Sequence, residues 1–462
     1  MLPIIISTGS TKLDPDTRKL IRSHVMLGKN RGKARRSKSD DRADVEHDET
    51  CSGKTRTLRK QSDPLIWTPP CIVPQRVGSE ASLIQFADTV EPALATNIIR
   101  FSYMSKRTLF TLERCLFIQE KKELWHNLLV VDPIYLHAMA FIAQDFFDGL
   151  PGWQSKKASL HFLKTLQLLR ERLSLPDEQA KPSDATIMVV LFLTTHAYAM
   201  KDFDSANHHL KGLHRIVDLR GGVAHFTDDL KLKHEIYRCD LSIALQNCTR
   251  PLFFDDQFGL SILTVPTLDE HVNERFLEKI DGSLARTWGL MKSFCILVNN
   301  AIRKQQRLPL EFFLETMVSV MYRLLDLKFD AGSIAEAIRL GLLAFSAHVF
   351  LKWQDTQRPY IQFAASYKAS LVSLKSLDGI SSRIMLWLLM VGGTSLFSTS
   401  DDEWLKPWLR VNSQLCNIHS WLEMRDVLES FLWIGAIYDT PGNDLFESAL
   451  LQPSPEMYLP SV

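Results

Sequence analysis

The sequence predicts an all-α protein: a multi-helix array of antiparallel packed helices behind a disordered basic N-terminal arm. Three observations carry that expectation. From about Ser82 onward, apolar residues recur three and four positions apart, the spacing of a buried helix stripe. The interruptions fall on residues that start or stop helices. Alternating strand patterns with Asn-Gly or Asp-Gly turns are scarce; Asp281-Gly282 is the plainest such dipeptide, and it lies between helical patterns.

The arm comes first. Between Gly28 and Thr57 large apolar residues are nearly absent, so the segment has too little surface to bury against its ordering entropy. Its cations include Arg18, Lys19 and Arg22, then the dense run Lys29, Arg31, Lys33, Arg35, Arg36 and Lys38. An acidic stretch, Asp40 to Glu49, overlaps its end, and Pro64 to Pro74 has the composition of an extended linker.

The helices follow in order. Asp132-Pro133 opens a stripe through Ile134, Ala138, Phe141 and Ile142. Leu160, Leu163, Leu166, Leu169 and Leu173 form a second, closed by Pro176. Pro182-Ser183-Asp184 caps a third through Ile187, Val190, Leu191 and Thr194. Leu210, Leu213, Ile216 and Val217 end at Arg220-Gly221-Gly222, where a glycine supplies the left-handed stop. Ser333 with Glu336 is a capping-box pattern that opens a helix towards Trp353. Further helices are expected over Leu310–Leu327, Gln362–Leu377, Ser382–Val391, Asp401–Gln414 and Ile418–Ile434. The resulting organisation is an arm and linker over 1–80, a helical domain over 81–440 and a flexible tail over 441–462.

The 462 residues are ample for a large core, and length alone suggests two or three domains. The net charge of +1 argues against a globally basic nucleic-acid coat, so any electrostatic partner meets a local patch. The seven cysteines (Cys51, Cys71, Cys115, Cys239, Cys248, Cys295 and Cys416) are dispersed, with no pair at zinc-ligand spacing. Reduced, mostly buried thiols are expected. Neither a signal sequence nor a membrane-spanning run is read in the chain.

No motif promises catalysis, a cofactor or a metal. Ser52-Gly53-Lys54-Thr55 echoes a phosphate-binding loop, but Asp48 stands where the motif needs its first glycine. His208, His209 and His214 are one, five and six apart, which scatters their rings around a helix; His214 and Asp218, four apart, form a plain pair. Serine-hydrolase elbows, Gly-rich dinucleotide loops and metalloprotease helices are absent. The basic run is the strongest physical signal, and three readings fit it: a nuclear import signal taken by an acidic receptor, a sequence-blind arm on DNA phosphates, or a solvated tail.

From His209 to Gly222 the chain resembles the central motif of the fungal-specific transcription-factor domain, the regulatory half of zinc-cluster transcription factors. In that family a helix ends in Arg-Gly-Gly, and a further helix carries an Asp and leads to a Pro-Phe-like segment. Here those positions are Arg220, Gly221, Gly222, Asp240 and Pro251-Leu252-Phe253-Phe254. Trp125 and Asp132-Pro133 match the early helix pair, and Leu386 to Gly393 with Trp404-Leu405 match the late helices. Thr17 to Met26 is similar to the opening of a subgroup that lacks the N-terminal zinc cluster.

The resemblance implies an all-α fold, nuclear residence and control of transcription. The six-cysteine DNA reader is missing, since Cys51 and Cys71 are the only N-terminal cysteines. Arg220 is expected to pair with a carboxylate such as Asp240 and lock two helices, with a ligand-sensing role as the other reading. The implied partners are a nuclear import receptor and transcription co-regulators or a partner DNA-binding factor, with weak nonspecific DNA contact, homodimerisation and no membrane. Phe446, in an acidic-hydrophobic cluster, is a candidate coactivator contact beside the plainer reading of a frayed end. Two alternatives stand beside the regulator: a helical interaction scaffold unrelated to transcription, and an enzyme whose site is assembled from distant helices.

Overall fold

The computed structural model describes residues 84–107, 112, 115–117, 124–148, 156–174, 183–226, 230–254, 280–351, 360–374 and 381–451. The chain divides into Met1–Val73 and Pro74–Val462. All described residues belong to the second unit, and the arm expected over 1–80 lies outside them.

The described residues form an all-α array of fifteen helices. These are α1 Pro92–Arg107, α2 Leu124–Val131, α3 Pro133–Asp148, α4 Lys156–Ser174 and α5 Asp184–Ala199. Next come α6 Phe203–Leu219, α7 Leu230–Asn247, α8 Gly282–Arg303, α9 Leu310–Asp326 and α10 Ile334–Phe350. The last five are α11 Ile361–Leu374, α12 Ser382–Ser395, α13 Asp402–Leu415, α14 Trp421–Ser430 and α15 Gly435–Leu451. A parallel bridge, Leu116–Phe117 (β1) with Leu308–Pro309 (β2), is the whole of their strand content.

Local chemistry explains the boundaries. Asp132 Oδ1 accepts from the N–H groups of Ile134 and Tyr135 and so opens α3. The Ser183 side chain accepts from Thr186 N–H at the start of α5, and Ser333 does the same for Glu336 at α10. The second half of the box expected there does not close, because the Glu336 carboxylate is taken by Arg339 instead. Asp281 caps α8, which turns the one hairpin-like dipeptide into a helix start.

Helices close in sequence pack side by side: α3 on α4, α5 on α6, α9 on α10 and α12 on α13. Helix α7 connects the two groups, packing on α5 and α6 on one side and on α9 and α11 on the other. It is therefore buried around much of its circumference, and it brings His234, Arg238, Asp240, Ser242 and Gln246 inside with it. Trp387 on α12 is fully buried, lies edge-on to Trp288 and donates its Nε1–H to Leu432 O at 2.8 Å.

Three expectations are corrected. Helix α12 does not stop at Gly392-Gly393 but runs to Ser395. Gly393 is there for close approach, since a side chain would strike Leu405 and Leu445. The helix expected over Ile418–Ile434 is broken: α14 ends at Ser430, and Phe431 to Ile434 form a buried link. Asn299 pins that link, donating to Trp433 O and accepting from Gly435 N–H. Residues 441–451 are helix rather than flexible tail, with Phe446 and Ala449 buried. Phe446 lies near Trp421 in the core, so it is not available as a coactivator contact.

Candidate functional site

The Arg-Gly-Gly corner is built from the end of α6. This helix is amphipathic and buries Ala206, Leu210, Leu213, Ile216 and Val217 along one stripe. Its last carbonyls are closed by Gly221 N–H to Asp218 O at 2.9 Å and Gly222 N–H to Val217 O at 3.0 Å. Both glycines sit at positive φ, 98° and 86°. A Cβ at Gly221 would also meet the His225 ring at 2.7 Å.

Arg220 does not pair with Asp240. Its guanidinium bonds to Asp184, the first residue of α5, and lies over the Phe226 ring at 4.4 Å. A carboxylate in the first turn of α5 also faces that helix's positive end, so Asp184 serves both. The pair locks α6 to α5, the neighbour before it in the chain rather than the one after.

Asp240 has a different task. Its Oδ1 accepts from Leu252 N–H at 2.8 Å; its Oδ2 accepts from Phe253 N–H and from the Tyr322 hydroxyl, each at 2.9 Å. Burial drives its carboxyl up to about 6, against the pull of those three donors. Burial likewise puts the Tyr322 hydroxyl well above its usual range. The segment so held is clamped again further along. Phe254 stacks on Tyr322, while Arg250 bonds to Asp326 and covers the Phe254 ring.

The three histidines do not converge. His208 Nδ1 donates to Asp204 O, and His214 pairs with Asp218 at 2.9 Å while its ring rests against Phe253. Burial holds His209 below its usual range. No group of three or more His, Cys, Asp or Glu placed to hold a metal ion is present among the described residues. Cys115, Cys239 and Cys295 are buried thiols, Cys416 is half-buried and Cys248 is exposed. Among the described residues no helix is long and apolar enough to cross a membrane. The import candidates Lys29, Arg31, Lys33, Arg35, Arg36 and Lys38, the Ser52 to Thr55 fragment, Cys51 and Cys71 lie outside the described residues.

Sequence reasoning missed a set of part-buried polar pairs along α3. Arg172 bonds to Asp132 at 2.8 Å, His196 to Asp145 at 2.8 Å, and His137 to both Asp88 and His161. Their partners are 24 to 51 residues apart, beyond the reach of any local spacing rule. It also missed a cavity of about 20 Å³ between α5 and α7, lined by Thr195, Tyr198, Glu235, Arg238 and Ser242. That is space for about one water.

No protein-family model, curated protein or solved structure matches this chain.

Proposed function

We propose that this chain is a nuclear transcriptional regulator that acts through protein partners or a small effector and has no zinc-cluster DNA reader of its own. The observation that carries the reading is the tie between Asp240 and the N–H groups of Leu252 and Phe253. Two elements of the resembled motif, the Asp of the second helix and the Pro-Phe-like segment, are thereby one hydrogen-bonded unit that follows directly from the Arg-Gly-Gly stop. Order along a chain is weak support for a family likeness; a physical reason for that order is stronger. The helical unit then serves as the regulatory body, and the run Lys29, Arg31, Lys33, Arg35, Arg36 and Lys38 recruits an import receptor. Co-regulators or a partner DNA-binding factor supply the contact with the gene, and the protein works without chemistry of its own.

A second reading, an interaction scaffold unrelated to transcription, is favoured by the outer face of α4, where Leu160 is 68% and Leu163 61% exposed. One experiment separates the two. A fluorescent fusion is localised in cells, and the same chain is tethered to a reporter promoter through a foreign DNA-binding domain. The regulator reading expects nuclear signal and a changed reporter, with nuclear signal lost when Lys33, Arg35, Arg36 and Lys38 become alanine. A silent reporter with a fusion that stays outside the nucleus selects the scaffold.

A further inference from the structure

Away from the Arg-Gly-Gly corner, three titratable side chains from three segments meet in a line. Asp88 precedes α1, His137 lies on α3 and His161 on α4. Asp88 Oδ2 is 3.1 Å from His137 Nε2, and His137 Nδ1 is 2.9 Å from His161 Nδ1. The His137 side chain is only 7% exposed, so water is a poor substitute for either partner. We propose that Asp88, His137 and His161 form a pH-operated latch between α3 and α4, closed while the facing imidazole nitrogens share one proton and opened when both rings are protonated.

The proton count makes the argument. A carboxylate only accepts, so His137 Nε2 carries a hydrogen. Of two ring nitrogens 2.9 Å apart, one must donate and the other must accept. Three protonation states meet both conditions. With both rings neutral, His161 Nδ1–H donates to the bare Nδ1 of His137. With one proton added, either His161 carries it and still donates to the bare Nδ1 of His137, or His137 carries it and donates to Asp88 and to the Nδ1 of His161, whose own hydrogen then sits on Nε2. The first proton therefore leaves the chain of hydrogen bonds intact. A second sets two N–H groups against each other and brings two like charges together in a half-buried site. With a hydrogen on both facing nitrogens, that contact has no acceptor in it, and it opens.

The groups facing the pair set the direction. Burial and the charge of His137 hold His161 below the usual imidazole range, against the opposing pull of Glu91 and Asp88. Asp88 itself is held down by Thr89 N–H and His137, and Lys164 of α4 adds to this. Along the same faces, Arg172 with Asp132 ties α4 to α3, and Asp145 with His196 ties α3 to α5. An imidazole whose folded value lies below its unfolded one contributes stability that is present above about pH 6.5 and lost as pH falls through the lower folded value. The latch therefore opens in mild acid, and it frees the N-terminal half of α4 that carries Leu160 and Leu163. The inference is independent of the regulatory reading, since it concerns only the packing of two helices.

Hydrogen exchange read by mass spectrometry tests it on the full chain. After correction for the intrinsic rate, the opening constant of peptides from residues 156–174 should rise by up to about tenfold per pH unit below about pH 6.5, the slope of a one-proton opening. Peptides from α10 should not follow. Equal protection of α4 at about pH 7.5 and about pH 5 overturns the latch. His161→Phe, which keeps a ring but has no second proton site, should remove the pH dependence of α4 with the Asp145–His196 pair still in place. Persistence of that dependence also overturns it. If His161→Phe does not fold, His161→Gln carries the same expectation, and the wild-type comparison alone suffices to sink the proposal.

Discussion

The Tyr322 hydroxyl donates to Asp240 Oδ2 across 2.9 Å inside the core, between α9 and α7. That bond and the two from Leu252 and Phe253 use three donors on one carboxylate, so the helix after the Arg-Gly-Gly stop, the segment beyond it and α9 share one anchor. Removing the anchor leaves three donors without an acceptor. Asp240→Ala should therefore lower unfolding free energy by about 3–5 kcal/mol, from the lower part of the roughly 1–3 kcal/mol for each stranded group, because Leu252 lies close to solvent. Urea denaturation at neutral pH reads it, and a loss below about 1 kcal/mol would mean that water replaces the carboxylate.

The same carboxylate has a pH signature. Its folded value of about 6 lies above the unfolded value, so the fold holds the proton more tightly than the open chain does. Its contribution is full below about pH 4 and is lost as pH rises through about 6, a change of about 3 kcal/mol. Other carboxylates run the opposite way, so the measurement is a difference: wild-type stability minus that of Asp240→Asn, from pH 4 to pH 7. It should fall across that window. Tyr322→Phe removes a bond that favours the ionised form, so it should move the fall to higher pH and cost about 1–2 kcal/mol in itself. A flat difference curve would contradict both expectations.

Much of this fold could be read from local chemistry. Asp132-Pro133, Ser183 and Ser333 announce helices with side chains that reach only two or three residues ahead, and Gly221-Gly222 stops one by backbone conformation alone. The signal for the true start of α14 was present as well: Ser420 and Glu423 form a reciprocal capping box, so the helix opens there and not at Ile418. The break after Ser430 was not legible, because it depends on Asn299, more than a hundred residues away. Gly392-Gly393 misled for a related reason. A glycine that ends a helix and one that admits a neighbouring helix look alike until the neighbour, here Leu445 on α15, is in place. The site divides in the same way: the corner was readable, but whether Arg220 turns to Asp184 or to Asp240 is a tertiary matter.

That choice of partner can be measured. Arg220 and Asp184 are each about a third exposed, so solvent screens much of their attraction, and the Phe226 face adds a modest amount. Arg220→Ala should cost about 1 kcal/mol, and a double-mutant cycle with Asp184→Ala should return a coupling of roughly 0.5–1 kcal/mol. The matching cycle of Arg220 with Asp240 should return a value near zero. A larger coupling to Asp240 would restore the pairing that the sequence suggested.

The two glycines of the corner should fail for different reasons. Gly222 has φ 86° and ψ 175°, a region that residues with a Cβ almost never enter, yet open space surrounds the missing side chain. Gly222→Ala therefore has only the backbone penalty, roughly 1–3 kcal/mol. Gly221 combines a φ of 98° with the His225 ring 2.7 Å from the position of a Cβ. Gly221→Ala should be the more damaging of the two, and His225→Ala in the same chain should recover part of the loss by clearing that space. The companion change should give Gly222→Ala nothing, because no atom stands in its way. Four denaturation curves decide it: equal recovery in both backgrounds would show that the ring is not what glycine at 221 makes room for.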